Sequence, residues 1–199
     1  MTATSTQQRA KLRIRPLQRN DWPVIETLFS ANGACGGCWG MWWRVPMGGK
    51  TWEAGKGEPN RQAFKALVES GRAHGLLAFA GDEPAGWCAL GPRGDFPRIE
   101  SKALAADWDA RTWCLNCFFI PRRWRGFGVA STLLQAAIGY ARKHKAARLE
   151  GYPVVPTSND RLPGAFAWTG VPALFERAGF VPAGPAGHGK RLYRLDLEC

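Results

Sequence analysis

The chain has 199 residues and carries 27 lysines and arginines against 16 aspartates and glutamates, a formal net charge of +11 at pH 7. Such an excess favours anionic partners, namely nucleic acid, a phosphorylated cofactor or an acidic surface. The length suffices for one compact domain with its own core, and no run approaches the ~18 apolar residues of a membrane span.

The first ten residues are polar and lack the apolar centre of a signal peptide. We therefore expect residues 1–10 to be a disordered tail and residues 11–199 to form one domain. The same features predict a cytoplasmic protein, no membrane partner and reduced cysteines.

The first half of the chain predicts three strands, two helices and a long aperiodic segment. Alternation over residues 11–17 predicts a strand, and Asn20 or Asp21 can cap a helix that follows. Residues 32–56 are rich in glycine and tryptophan and show no clear period. A second amphipathic helix begins at Glu58, and apolar runs over residues 76–80 and 85–90 predict a hairpin.

The second half places its longest helix after a central strand. A polar loop over residues 91–107 is long enough to be functional. The elements predicted after it are strands over residues 113–120, 148–155, 180–182 and 191–197 and helices over residues 129–145 and 171–178. The order predicts an α/β (α+β) domain, with a mixed, mostly antiparallel twisted sheet flanked by about four helices.

Two cysteine pairs have Cys-x-x-Cys spacing, Cys35/Cys38 and Cys114/Cys117. The second pair falls in the predicted central strand, where residues three apart point to opposite faces and cannot share a tetrahedral metal. The first pair lies in a loop instead of at the strand-to-helix turn of a redox motif. We therefore predict no metal site and leave open whether either pair has a role.

A glycine turn joins the predicted central strand to the long helix, with the sequence Arg125-Gly126-Phe127-Gly128-Val129-Ala130. Glycines let the backbone approach a phosphate, and the first N–H groups of a helix point at it without partners. A Walker loop needs a Lys-Ser/Thr pair where Val129-Ala130 stands. A dinucleotide fold needs this turn early among alternating strands and helices, whereas here it follows a hairpin past mid-chain.

This turn resembles the acyl-CoA-binding motif of the GNAT superfamily of N-acetyltransferases, Arg/Gln-x-x-Gly-x-Gly/Ala, with Arg125, Gly128 and Ala130 at the fixed positions. The resemblance extends over residues 11–197. The opening Ile14-Arg15-Pro16-Leu17, the hairpin end Ala85-Gly86-Trp87-Cys88 and the late Leu174-Phe175-Glu176-Arg177-Ala178-Gly179-Phe180 lie where that family places them. It implies a GNAT-like fold and acetyl-CoA as co-substrate.

The resemblance also implies how coenzyme A would be held. Its pyrophosphate would rest on the N–H groups of the glycine turn, and its pantetheine arm would pair with the end of the central strand. A backbone N–H near Phe119 or Ile120 would stabilise the oxyanion. Arg122, Arg123 and Arg125 would add positive charge. The predicted cofactor-binding residues are Phe118, Phe119, Ile120, Arg125, Gly126, Phe127, Gly128, Val129, Ala130 and Ser131.

Glu150 and Tyr152 are the predicted catalytic residues. Both lie on one face of the strand after the long helix, as a general base and an acid. The tyrosine that many family members carry on the last helix is Phe175 here, and the asparagine before it is Trp168. The leaving thiolate is then protonated by Tyr152, another residue or solvent, or activity is compromised. A covalent route through a strand cysteine lacks a neighbouring histidine.

Three tryptophans within five positions, Trp39, Trp42 and Trp43, lie in the region that lines the acceptor site in this family. Aromatic walls suit a cationic amine or a flat apolar acceptor, and residues 156–170 are a candidate second wall. A satellite core is the alternative role of these rings. The acceptor itself stays open among an antibiotic amine, a polyamine, an amino acid and a protein N-terminus.

Together these features predict an acetyl-CoA-dependent N-acetyltransferase in which the primary amine of a small acceptor attacks the thioester directly. Phe175 keeps open a catalytically weak acyl-CoA-binding sensor of the same fold. The net charge and the tryptophans keep open a basic nucleic-acid-binding protein, which we favour least. The family also leaves a homodimer open.

Overall fold

The computed structural model describes residues 11–46, 49–99, 109–155, 167–187 and 189–197. The predicted tail, residues 1–10, lies outside the described residues. So do residues 100–107 of the predicted polar loop and residues 156–166 of the candidate second wall. None of the helices described is both long and apolar enough to cross a membrane.

Seven strands form one sheet in the spatial order β1-β2-β3-β4-β5-β7-β6. Only the β4–β5 pair is parallel, and every other neighbouring pair is antiparallel. The strands are β1 Leu12–Pro16, β2 Gly75–Ala80, β3 Glu83–Pro92, β4 Thr112–Phe119, β5 Arg148–Gly151, β6 Val181–Gly187 and β7 Lys190–Asp196. The predicted mixed, mostly antiparallel sheet is confirmed.

Helices cover both faces of the sheet. They are α1 Trp22–Phe29, α2 Gly49–Gly55, α3 Glu58–Glu69, α4 Val129–Lys143 and α5 Pro172–Glu176, with short 3-10 turns at Arg93–Asp95, Pro97–Ile99 and Arg122–Trp124. Helix α2 falls in the segment for which the sequence showed no period, and it was not predicted.

The core has one layer on each face of the sheet. Leu133, Leu134 and Ala137 of α4 are buried on one face, because they recur at helical spacing. Trp22 of α1 and Phe64 of α3 are buried on the other face. The sheet is therefore enclosed between α4 and the α1–α3 layer.

Gly86 allows α4 to begin close to the sheet. A Cβ on Gly86 would lie 2.7 Å from Cγ1 of Val129, the first residue of α4. That distance is far below ordinary van der Waals contact, so only glycine fits. The close approach fixes the N-terminus of α4 beside the central strands.

Candidate active site

Strands β4 and β5 separate partway along β4. Their parallel pairing ends where Leu115 faces Gly151, whereas β4 continues beside β3 as far as Phe119. The β3–β4 register shifts by one residue here, so Asn116 is an extra, bulged residue of β4. The indole Nε1 of Trp43 donates a hydrogen bond of 2.7 Å to the Asn116 carbonyl. The bulge is thus tied to the loop after α1.

The glycine turn lies at the far end of β4. Gly126 and Gly128 have φ of +85° and +81°, a conformation that favours glycine. Gly128 is the N-cap of α4, and no side chain caps that helix. A Cβ on either glycine meets no heavy atom within 4 Å. The first N–H groups of α4 therefore have no side-chain cap, and the space beside the two glycines is open.

A cavity of about 270 Å³ runs from this turn along the end of β4, and we name it the turn cavity. Its walls come from the loop after α1, the end of β4, the glycine turn and residues 167–174. The lining residues are Ala34, Cys35, Phe118, Phe119, Ile120, Arg125, Ala130, Ala167, Trp168, Gly170, Val171 and Leu174.

Five of the ten predicted cofactor-binding residues line the turn cavity, namely Phe118, Phe119, Ile120, Arg125 and Ala130. Gly126 and Gly128 form the turn itself. Ser131 is exposed on the first turn of α4. Phe127 packs against Trp124 with ring centroids 6.3 Å apart, and Val129 is buried in the core. The Val129 side chain is therefore not accessible to a ligand, and of the predicted role only the backbone part stays a prediction.

Backbone groups along the turn cavity have defined directions. The Phe118 N–H donates to the Trp168 carbonyl at 2.6 Å, which joins residues 167–170 to β4. Because successive N–H groups of a strand point to opposite neighbours, the N–H of Phe119 points toward β3 and that of Ile120 toward the turn cavity. The Arg125 Nε donates to the Ile120 carbonyl at 3.0 Å.

The other two arginines of the predicted positive cluster lie on the surface. Arg122 and Arg123 are exposed, and the Arg123 Nε donates to Glu83 at 2.6 Å. Neither of them lines the turn cavity. Among the described residues that line it, Arg125 is the arginine.

A second cavity of about 280 Å³ opens beside the first, and we name it the tryptophan cavity. Its lining residues are Phe29, Ala34, Cys35, Cys38, Gly40, Trp42, Trp52, Cys117, Phe118, Phe119 and Trp168. Five of these also line the turn cavity: Ala34, Cys35, Phe118, Phe119 and Trp168. The two cavities therefore meet at the end of β4.

Of the three predicted acceptor tryptophans, only Trp42 lines the tryptophan cavity. Trp39 packs with α1 in the core. Trp43 is buried behind the wall, with its ring centroid 5.8 Å from that of Trp168. Two further tryptophans, Trp52 and Trp168, line the tryptophan cavity together with Trp42. Trp168 falls in the candidate second wall, whereas nothing in the pattern around Trp52 pointed to a cavity.

Glu150 and Tyr152 lie together, fully buried, behind Trp43. The Tyr152 hydroxyl donates to Glu150 Oε2 at 2.6 Å, and Arg194 Nε donates to Oε1 at 2.9 Å. The Arg93 guanidinium is 3.8 Å from the same carboxylate. Burial, aided by the neighbouring thiol and carboxylate, raises the pKa of Tyr152 well above its usual range. Neither predicted catalytic residue lines either cavity.

Phe175 also lines neither cavity. Its ring is fully buried between Phe180 and Tyr193, at centroid distances of 5.2 and 6.2 Å. A Cβ on Gly151 would lie 2.1 Å from the ring. The ring therefore fills the space beneath the end of β5, as part of the core.

The bulge corrects one sequence-based expectation. Cys114 and Cys117 were expected on opposite faces of the central strand, but they lie on the same face. Leu115 and Phe118 pack with α4, whereas the two cysteines pack with the cluster around Trp43. The extra residue in β4 breaks the alternation on which the expectation rested.

The bulge also brings Cys117 to the tryptophan cavity beside Cys35 and Cys38. Burial raises the pKa of the Cys38 and Cys117 thiols, so both are neutral near pH 7. The residues that the structure describes contain no group of three or more His, Cys, Asp or Glu arranged to hold a metal ion.

Comparison with known protein families finds a match for this chain. The family described as "Acetyltransferase (GNAT) family" matches residues 41–162, which is more than half of the chain. Among curated proteins, no sequence matches significantly.

Several solved structures share the fold at low sequence identity. An acetyltransferase of the GNAT family from Streptococcus pneumoniae has a TM-score of 0.57 and 17% identity, covering 94% of this chain and 100% of that chain. The PaiA N-acetyltransferase from Thermoplasma acidophilum, solved in complex with coenzyme A, has a TM-score of 0.54 and 14% identity, covering 93% and 98%. YncA from Salmonella typhimurium, solved with its cofactor acetyl-CoA, has a TM-score of 0.53 and 13% identity, covering 94% of each chain.

Proposed function

Because the chain belongs to the GNAT family of acetyltransferases, we propose that it transfers the acetyl group of acetyl-CoA to the primary amine of a small acceptor. The observation that carries this proposal is the junction of the two cavities at Phe118, Phe119 and Trp168. One cavity leads to an open glycine turn and the other to aromatic walls. Two of the similar structures hold coenzyme A or acetyl-CoA, which supports the choice of co-substrate.

The residues around the turn cavity fit coenzyme A. The open space beside Gly126 and Gly128 leaves room for a pyrophosphate at the N–H groups from Gly126 to Ala130. The Arg125 N–H already donates to the Arg122 carbonyl. The Phe118 carbonyl would accept from the pantetheine arm lying along it as an added strand. The Phe118 N–H already donates to the Trp168 carbonyl, and the Ile120 carbonyl accepts from Arg125. Arg125, held to the Ile120 carbonyl, would supply positive charge beside both groups.

Acetyl-CoA brings the acetyl group as a thioester, which an uncharged amine attacks directly. The Ile120 N–H is the proposed oxyanion donor, since it points toward the turn cavity whereas that of Phe119 points toward β3. Cys35, Phe118 and Trp168 line both cavities at this junction. In this proposal, Trp42 contacts the acceptor, and Trp39 and Trp43 support that wall from behind.

Glu150 and Tyr152 remain the proposed proton-transfer pair, and their burial restricts how they act. Glu150 already accepts hydrogen bonds from Tyr152 and Arg194. The Tyr152 hydroxyl lies 3.4 Å from the Cys114 Sγ, on the face of β4 that leads to Cys117. A proton from the reacting nitrogen would therefore reach Glu150 only through Tyr152 or through water.

Cofactor binding is the first test. We expect acetyl-CoA to raise the melting temperature, because a ligand that binds only the folded state stabilises it. It should also slow iodoacetamide labelling of Cys35, an exposed thiol at the junction, as mapped by mass spectrometry. Buried Cys88, whose pKa burial raises to about 12, serves as the unreactive control. If acetyl-CoA changes neither quantity, the proposed function is wrong.

Turnover separates the proposal from its rivals. Release of free thiol from acetyl-CoA should depend on an added amine and should yield the acetylated amine. Cofactor binding without turnover on a broad amine panel would favour the sensor module. Tight, salt-dependent binding of single-stranded oligonucleotides, with no effect of acetyl-CoA, would favour the nucleic-acid-binding protein.

The variant Glu150→Gln tests the proton-transfer pair. We expect acetyl-CoA binding to be retained and turnover to fall by about tenfold or more, because general acid–base catalysis contributes at least that much. The unfolding midpoint must be measured in parallel, since the substitution also removes the charge facing Arg93 and Arg194. Unchanged turnover in a folded variant would reject Glu150 as the base.

A further inference from the structure

The walls of the tryptophan cavity form an edge-to-face cluster. The Trp42 and Trp52 ring centroids lie 4.8 Å apart with an interplanar angle of 88°. Trp42 and Trp168 lie 6.3 Å apart at 83°. Aromatic rings prefer such offset and edge-to-face arrangements. A flat ring inserted among them would extend the same packing.

The protein places its own cations over these walls. The Arg98 guanidinium lies 4.1 Å from the Trp42 ring centroid and 5.4 Å from that of Trp52. The Lys190 ammonium lies 5.6 Å from the Trp168 centroid. Each described tryptophan that lines the cavity therefore already has a cationic side chain of this protein over its ring.

These cations change what the aromatic walls select. Tryptophan faces normally attract a cationic ligand, but here Arg98 and Lys190 already occupy that role and repel a further positive charge. The other described lining, which includes neutral Cys38 and Cys117, offers little to replace the hydration of an ammonium group. The cavity therefore favours an acceptor that is uncharged when it binds.

An amine that is flat, apolar and uncharged near pH 7 is one whose nitrogen is bonded directly to an aromatic ring. The ring withdraws the nitrogen lone pair and makes it a weak base. The cavity volume of about 280 Å³ is close to the lower limit for small-molecule sites, which suits one or two rings. We propose that the acceptor is an aryl amine bound between Trp42, Trp52 and Trp168, an inference that rests on the proposed acetyl transfer.

The chemical step balances without any further reactant. The aryl nitrogen forms a bond to the acetyl carbon, and the carbon–sulfur bond breaks. One nitrogen-bound proton leaves, and the departing thiolate takes up one proton. The products are an N-aryl acetamide and free coenzyme A. The nitrogen enters neutral, so no proton has to be removed before the attack.

Two isomeric probes test the proposal. 4-Methylaniline and benzylamine contain the same atoms, but only benzylamine is cationic near pH 7. Isothermal titration at pH 7.5 with coenzyme A present measures binding without turnover. We expect 4-methylaniline to bind at least about tenfold more tightly than benzylamine. Equal or tighter binding of benzylamine or spermidine, or no binding of 4-methylaniline, would overturn the proposal.

Arg98→Met removes the charge and keeps an apolar stem over Trp42. We expect the preference for 4-methylaniline over benzylamine to shrink on the order of tenfold. Arg61→Met is the matched control, because Arg61 lies 5.9 Å from the Trp22 centroid and 5.8 Å from that of Trp39, and neither ring lines the cavity. The control should keep the wild-type preference. An unchanged preference in folded Arg98→Met would also contradict the proposal.

Failure of this inference and failure of the proposed function give different results. If acetyl-CoA stabilises the protein and aliphatic amines are acetylated while 4-methylaniline does not bind, the acetyl transfer stands and the acceptor class is wrong. If 4-methylaniline binds but acetyl-CoA does not, the proposed function is wrong and the cavity is a binding site for aryl amines.

Discussion

Phe175 is a fully buried ring whose neighbours leave no space beside it. Gly151 and Gly170 both come so close to the ring that an added Cβ would lie 2.1 and 2.7 Å from it. An added hydroxyl has to displace packed atoms or stay without a hydrogen-bond partner. Introducing tyrosine at this position therefore does not by itself supply a proton donor to the turn cavity.

The variant Phe175→Tyr tests this packing. We expect the free energy of unfolding to fall by about 1–3 kcal/mol, the usual cost of a buried polar group without a partner. We also expect no gain in turnover. Urea unfolding measures the first quantity, and Phe127→Tyr, at a half-buried ring beside the glycine turn, is a control with little expected effect. A stable variant with faster thiol release would contradict this account.

The predicted helices and strands agree closely with the structure where the sequence pattern is strong. Helix α4 and strand β4 were predicted within two residues, because periodicity and a glycine turn are local signals. Helix α2 was missed because no period marks its segment. The bulge at Asn116 was missed because it arises from pairing with β3. The glycine turn was predictable for the same local reason, whereas the roles of Trp52 and Trp168 depend on distant packing.

The junction of β1 and α1 contains an ion pair between half-buried Arg15 and buried Asp21. Two nitrogens of Arg15 donate to the Asp21 carboxylate at 2.5 and 2.7 Å, and the Gln18 N–H donates at 2.7 Å. Burial raises the pKa of Asp21, but these hydrogen bonds and the Arg15 charge outweigh it, so the pKa is lowered. The ion pair therefore stabilises the fold at neutral pH.

Stability at this junction should depend on pH in one direction. A carboxyl whose pKa is lowered by folding contributes its stabilisation above the unfolded pKa of about 3.9 and loses it as the pH falls through the folded pKa. We expect Asp21→Asn to be less stable than wild type by about 1–3 kcal/mol at pH 7 and by less at pH 3. Urea unfolding at both pH values measures the difference. A constant difference would show that the carboxylate charge is not the cause.

At the scale of the whole molecule, one sheet joins two buried layers. Leu76 and Ala78 of β2 face the α4 layer, whereas Leu77 and Phe79 of the same strand face the α1–α3 layer. Neither layer can lose its packing without exposing the other side of shared strands. The two layers should therefore unfold together.

Two spectroscopic probes can test this cooperativity. The buried cluster of the α1–α3 layer holds Trp22, Trp39, Trp52 and Trp87, whereas that of the α4 layer holds Trp113. Tryptophan fluorescence therefore reports mainly on the α1–α3 layer, and far-ultraviolet circular dichroism follows all helices, including α4. We expect both to give the same thermal midpoint, and acetyl-CoA to shift both equally. Separate midpoints would mean that the two layers unfold independently.

The hydrogen bond from Trp43 to the bulge at Asn116 has a consequence for how two ligands bind. Trp43 follows the wall residue Trp42, and the bulge carbonyl lies where β4 turns toward the turn cavity. A ligand in the tryptophan cavity that orders the loop carrying Trp42 also holds the bulge in β4. It thereby lowers the entropic cost at which a ligand in the turn cavity orders the end of β4. We expect positive cooperativity, which is reciprocal by thermodynamic necessity: the ternary complex should be more populated than the two separate affinities imply.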